Sequence, residues 1–331
     1  MGRYLARRLL YFVVVLFLIS VAAFGVIQLP PGDYLTTYVA GLQASGQAIN
    51  EAQVAALSER YGLNAPFYVQ YGKWISNVLF HGDFGSSFEW NQSVASLLAQ
   101  RLPLTVLLAV TTMLFTWVLA FAAGIFSAVR KYTAGDYLIT VLGFLGIAVP
   151  NFLIALVFAW VSSTVFDQPV GGLFSAEYAD AQWNLGKVLD LLAHLWIPIV
   201  VLGAAGTAGL MRILRANLLD ELHKPYVVAA RARGIPERRL LWRYPLRVAL
   251  NPFVSTIGWV LPGLVSGEVI VSQVLSLPTT GPLLTRALTS QDMFLAGSIL
   301  LIVSALTVVG TLISDIALGL LDPRIRLGQK I

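Results

Sequence analysis

The sequence predicts an all-α polytopic membrane protein on three grounds: 57% of its 331 residues are hydrophobic, only 12% are charged, and the apolar residues gather into six long runs. Soluble domains carry roughly 25% charged residues, and the mean hydropathy of +0.76 points the same way. The chain has no cysteine, which excludes disulfides, thiolate metal sites and a thiol nucleophile together. Its three histidines, His81, His194 and His223, stand far apart, so a histidine-rich metal site is not expected.

A crossing helix needs about 20 mostly apolar residues to traverse a hydrocarbon layer of about 30 Å. Six segments meet this: 9–29, 104–128, 138–166, 188–213, 252–276 and 293–320. The first follows Arg7-Arg8 and has the look of a secretory leader. Its apolar run is too long for one and continues past Val21-Ala22-Ala23, so it is expected to remain as an uncleaved anchor. Lys and Arg favour cytoplasmic loops. With the N-terminus inside, 17 of the 22 basic residues fall inside and only Arg60, Lys73, Arg101, Lys187 and Arg286 fall outside. Both termini are therefore expected on the cytoplasmic side. The organisation that follows is residues 1–29 as N-terminal tail and first span, 30–103 as an outer segment, 104–320 as a five-helix core, and 321–331 as an inner tail. Within the outer segment, Val54, Leu57 and Tyr61, then Tyr71, Trp74, Ile75, Val78 and Leu79, recur at helical spacing, broken by Asn64-Ala65-Pro66. Short helices lying on the bundle are expected there, fitting either a structural cover or a docking surface.

The loop at 214–250, between spans four and five, carries the most information. Pro225 suits a first helical position, Tyr226 to Arg233 make two turns, and Gly234 suits the left-handed residue that ends a helix. Pro236 is expected to prevent resumption. Ala229 and Ala230 leave one side of this helix nearly bare, so it can slide into a groove on another protein. From Arg215 to Arg247 the net charge is +5, equal to that of the whole chain. Retention of positive charge inside and contact with anionic lipid explain part of that excess, but not a helix delimited by Pro and Gly in mid-loop.

At this point the residues resemble a known family. Tyr226-Val227-Val228-Ala229-Ala230-Arg231-Ala232-Arg233-Gly234, with Pro252 eighteen residues later, is similar to the "EAA" loop of binding-protein-dependent ABC-importer permeases. The oligopeptide/dipeptide/nickel branch, first-permease type, is resembled further by the opening Arg3-Tyr4-Leu5-Ala6-Arg7-Arg8, Pro31-Gly32-Asp33, Tyr61-Gly62-Leu63, His81-Gly82-Asp83-Phe84-Gly85 and Asp322-Pro323-Arg324. Departures are Val228 in place of the motif's Glu, Asn251 before Pro252, and Ser272-Gln273 where the branch has an acidic residue. The resemblance implies a permease subunit in the bacterial inner membrane, paired with a second homologous permease. It also implies two cytoplasmic ATPase subunits and a periplasmic or lipid-anchored binding protein. The segment from Pro225 through Tyr226, Val228, Ala229, Ala230, Arg231 and Arg233 to Gly234 is then the ATPase-coupling helix. The substrates implied are di- and oligopeptides first, with nickel chelates or oligosaccharides as alternatives.

The chain itself offers no catalytic constellation. A P-loop needs Gly-x4-Gly-Lys-Ser/Thr, and the five lysines are followed by Trp, Tyr, Val, Pro and Ile. No cofactor is expected on this chain, ATP and Mg²⁺ being left to partner subunits. Charge at membrane depth is costly and usually faces a cavity or partner. Glu268 in span five, with Ser272 one turn on and Gln273 beside it, fits a path or gate role or a structural hydrogen bond. Asp315 is expected near the inner end of span six, and Asp190 and His194 on one face at the outer end of span four. Pro150-Asn151, Pro198 and Pro262 are places where helices can break, and broken helices line substrate paths in many transporters. The Gly and Ala residues from Gly203 to Gly209 fit close helix packing. An ion-coupled secondary transporter acting through Glu268 is a weaker reading, because no internal repeat is seen and the 225–234 helix is left unexplained.

Overall fold

A computed structural model describes residues 2–28, 39, 65–87, 89–165, 171–179, 181–251, 253 and 269–321. Its described elements are helices joined by turns, with one two-stranded hairpin.

Helix α1 (Gly2–Gln28) is the expected first span. Helix α2 (Phe67–His81) starts directly after Pro66, which sets the dihedral of the entry, and stops at Gly82 in the left-handed conformation (φ 62°). Strands β1 (Ser86–Ser87) and β2 (Gln92–Ser93) pair antiparallel. Helix α3 (Val94–Val129) opens on Ser93, whose hydroxyl accepts from the Ser96 amide. At 36 residues it is about 54 Å long, well beyond the hydrocarbon thickness. Helices α4 (Ala134–Ala148) and α5 (Asn151–Val165) follow. Helix α6 (Leu185–Leu222) is capped by the Asn184 side chain on the Lys187 amide at 2.8 Å. Three short helices come next: α7 (Pro225–Ala232), α8 (Glu237–Arg243) and α9 (Pro245–Ala249). The chain finishes with α10 (Val269–Val274), α11 (Thr280–Thr289) and α12 (Met293–Leu321).

Among the described residues, four helices, α1, α3, α6 and α12, are long and apolar enough to cross a membrane, and α4 and α5 together make a fifth candidate, bent by 104°. The single span expected over 138–166 is therefore two helices broken at Pro150. Pro198, by contrast, sits inside an unbroken α6. Most of the fifth expected span, with Glu268 and Pro262, lies outside the described residues, as do 51–64, Pro31-Gly32-Asp33, Pro252 and the terminal Asp322-Pro323-Arg324.

Small residues set the helix packing. On α6, Gly203 stands where a Cβ would meet the Phe115 ring and the Thr116 hydroxyl of α3, and Gly124 of α3 lies against Leu214 and the Met211 carbonyl. The residue numbers rise together, so α3 and α6 run parallel. Helix α4 packs antiparallel to α6 through Gly143 near Met211 and Gly146 near Ala204. Part of the expected Gly/Ala stripe is thus consumed within this chain. Helix α1 lies antiparallel to α12, with Gly297 against Ile27 at one end and an Arg8–Asp315 ion pair at 2.6 Å at the other. Val94 and Leu97 of α3 join Phe24 and Leu295 in one cluster, so α3 and α6 both finish at the Arg8–Asp315 end. There they meet the basic α7–α9 segment.

The opposite end is closed by polar anchors. Asp292, fully buried, accepts from Ser87 Oγ and the Glu89 amide of the hairpin, and from the Leu295 amide at the start of α12. Lys187 is buried with its ammonium donating to the Ala179 and Ala181 carbonyls and lying 4.8 Å from the Phe174 ring centroid and 5.4 Å from that of Trp183. Carbonyls and π-faces together replace the water that a buried cation loses.

Candidate functional site

Helix α7 begins with Pro225 in its first turn, where the missing N–H costs nothing. It ends at Ala232 with Arg233 as its cap, and Gly234 follows with φ 74°, its amide donating to the Arg231 carbonyl at 3.0 Å. Its inner side is a small core of its own: Val227, Ala230 and Leu240 are buried, with Ile235 and Tyr244 packed on them. The outward side carries Pro225, Tyr226, Val228, Ala229, Arg231 and Arg233. Ala230 is therefore turned away from the bare side on which the sequence suggested it stands with Ala229. Pro236 does not stop the chain either. It is the N-cap of α8, since the residue before a first turn needs no amide donor and tolerates a fixed φ. Helix α9 then lays Leu246 and Ala249 on Leu214 and Leu218 of α6, fixing the hook to the bundle.

Glu221, the penultimate residue of α6, ties that bundle to α7. It is buried and accepts from the Lys224 ammonium and the Tyr226 hydroxyl. Burial and the neighbouring carboxylate push the Tyr226 phenol up to about 12. On the far side Arg231 pairs with Glu237 across the α7–α8 turn; the guanidinium holds the Glu237 carboxyl below its usual value. Neither tie was read from the sequence. The i to i+3 and i+5 spacing around Pro225 crosses a helix break, where helical periodicity has no meaning.

A second tie joins three helices at the same end. Asp136 of α4, nearly fully buried, accepts from Ser127 Oγ of α3, from the Tyr132 amide at 2.8 Å, and from both Nε and Nη2 of Arg215 on α6. Tyr132 itself holds φ 64°, a costly conformation for a bulky residue. No local pattern around Asp136 in the sequence points to Arg215, 79 residues away.

Of the expected path residues, four lie among the described residues. Ser272 is fully buried and accepts from Thr279 Oγ1 at 3.2 Å, next to the Thr105–Thr280 contact with α3. Gln273 is exposed. Pro150 and Asn151 form the α4–α5 break, and Glu268 lies outside the described residues. Asp190 and His194 do share a face, but Asp190 accepts from the Ser175 amide and hydroxyl, pinning the segment 171–179 to α6. The Gly172 amide donates to the Leu275 carbonyl, joining that segment to the end of α10.

Long apolar helices, small-residue packing and a basic three-helix hook at one end define a polytopic membrane protein. The chain belongs to the family described as binding-protein-dependent transport system inner membrane component, whose profile matches residues 120–327. The corresponding N-terminal profile matches residues 1–109. The oligopeptide transport system permease protein AppB of Bacillus subtilis is 35% identical over 327 residues, spanning 98% of this chain and 99% of the relative. A putative peptide permease protein of Brucella ovis is 32% identical over 98% of this chain and 99% of its own length. The oligopeptide transport system permease protein OppB of Haemophilus influenzae is 29% identical over 98% of this chain and all of its own length.

Proposed function

We propose that this chain is one of two permease subunits of an ATP-driven importer of di- or oligopeptides in the bacterial inner membrane. Six crossings, the fifth being largely the 252–276 segment, form half of the path. A periplasmic or lipid-anchored binding protein delivers the peptide, and two cytoplasmic ATPases bind ATP and Mg²⁺ and drive the cycle. Both termini face the cytoplasm, together with α7–α9, in keeping with the rule that basic loops stay inside. The peptide substrate rests on the relatives, whose names attach them to peptide transport along nearly their whole length.

The observation that carries the coupling role is the construction of α7. Its outward side is solvent-exposed, while its inner side is locked to α8 and, through Glu221, to the end of α6. Force applied to Val228 and Ala229 is delivered into a helix that runs back through the bundle. To test this, Val228→Cys in the assembled complex is cross-linked with a short bifunctional reagent. A product joining this chain to an ATPase subunit, its yield changing with nucleotide, supports the reading. Cross-links to lipid alone, or none in either nucleotide state, would count against it. Peptide selectivity is checked by uptake into vesicles holding the complex and its binding protein. Uptake of sugars or nickel chelates in place of peptides would reassign the substrate.

A further inference from the structure

Helices α3, α4 and α6 enclose an open groove of about 710 Å³ whose lining is almost wholly apolar. It runs from Phe126, Ile139 and Met211 at one end to Phe115, Gly146 and Val200 at the other. From Phe126 to Phe115, as from Met211 to Val200, is eleven residues, about 16 Å along a helix. That is the depth of one leaflet, half of a hydrocarbon core of about 30 Å. A transmembrane helix of a partner would run the full thickness; this groove stops at Phe115 and Val200, halfway along the apolar runs 104–128 and 188–213.

The mouth is cationic. Arg130, the C-cap of α3, holds its guanidinium 5.6 Å from the centroid of the Phe126 ring, itself a wall of the groove. Lys131 follows, and among the described residues neither pairs with a carboxylate, while the nearby Arg215 is taken up by Asp136. Thr207 also lines the groove, and its buried hydroxyl has no partner among the described residues. It lies one helical turn deeper than Met211, the level at which a glycerolipid carries ester carbonyls that accept hydrogen bonds. The geometry points to a binding site for one anionic phospholipid of the leaflet on the Arg130 side, with its phosphate at Arg130 and Lys131 and its tails in the groove.

The test uses the assembled complex purified with its native lipids, with phosphatidylglycerol and phosphatidylethanolamine as probes in native mass spectrometry. Wild type is expected to retain phosphatidylglycerol over phosphatidylethanolamine. Because each basic residue near an anionic lipid contributes on the order of a factor of 5, R130Q/K131Q, which alters only exposed side chains, should weaken that preference about 30-fold. Ala122→Phe, which fills the groove from an exposed position on α3, should lose both lipids. Equal retention of the two lipids by wild type would overturn the site, as would undiminished preference in R130Q/K131Q. So would a photoreactive group at position 122 that captures a protein chain instead of lipid.

Discussion

Arg215 on α6 grips Asp136 on α4 through both carboxylate oxygens, Nη2 at 2.8 Å and Nε at 3.2 Å, while Ser127 of α3 adds a third donor. A bidentate, largely buried pair of this kind holds three helices in one register at the end where α7 is attached. Removing Asp136 leaves the partly buried Arg215 charge unpaired, which costs up to about 3 kcal/mol. Asp136→Ala is therefore expected to lower the unfolding temperature in detergent by several degrees. Asp136→Asn, which keeps hydrogen bonding, should do less harm. If both variants melt with wild type, the pair is not what registers α4 on α6.

The Glu221–Tyr226 hydrogen bond separates coupling from folding. Tyr226→Phe keeps the ring and the Lys224–Glu221 ion pair but removes one charge-assisted hydrogen bond, worth about 1.5–3 kcal/mol. Expression and insertion should be unchanged, while the number of substrate molecules moved per ATP hydrolysed falls. The pH signature has a definite sign. The phenol's pKa is raised, so its stabilisation is complete below the ordinary tyrosine value near 10 and is lost as pH climbs through about 12. The stability difference between wild type and Tyr226→Phe should stay constant to about pH 10 and shrink above it. A difference already declining at pH 8 would contradict the contact.

Much of this architecture is legible in the chain because lipid imposes long apolar helices. Segments 9–29, 104–128, 188–213 and 293–320 all fall within or almost within observed helices, whose ends run further because polar turns extend beyond the bilayer. The hook was legible from Pro225 and Gly234, two residues with fixed backbone preferences. What escaped detection has physical causes. Two-residue strands carry no periodicity, and Thr280-Gly281-Pro282 disguises the start of α11, where a proline in the first turn is harmless. The Asp136–Arg215, Ser87–Asp292 and Lys187 anchors join residues distant in sequence or enclosed by aromatic rings, and no local pattern announces them. Of the candidate path, the residue with the greatest interest, Glu268, is not among those described.

The two neighbours Ala229 and Ala230 give a test that distinguishes docking from folding. Ala229 and Val228 face outward, whereas Ala230 touches Val227 and Leu240. Val228→Asp and Ala229→Glu should leave thermal stability within about 0.5 kcal/mol, as for ordinary surface changes, and abolish substrate-stimulated ATPase activity of the complex. Ala230→Glu buries an unpaired charge and should lower stability as well. Gly234→Ala meets no atom within 4 Å, so only its φ of 74° is strained, a cost of about 1–2 kcal/mol. It should weaken transport partially. Full activity in Val228→Asp and Ala229→Glu alike would remove α7 as the docking element.

The seat of α1 on α12 depends on one missing side chain. A Cβ at Gly297 would overlap Ile27 Cγ1 and lie 3.1 Å from the Ala23 carbonyl oxygen, so the helices touch backbone to side chain there, as small residues allow in membrane bundles. Gly297→Ala is expected to cost about 1–3 kcal/mol by overpacking. Ile27→Ala costs about 2–5 kcal/mol by opening a cavity, yet it removes the atoms that the new methyl group strikes. The double variant should therefore be less destabilised than the two single costs added together, with a coupling of 0.5 kcal/mol or more. The Arg8–Asp315 pair at the far end serves as the control, because Arg8→Gln should add to Gly297→Ala without coupling. Additivity at Ile27 and Gly297 would mean that α1 is not held against α12 at that point.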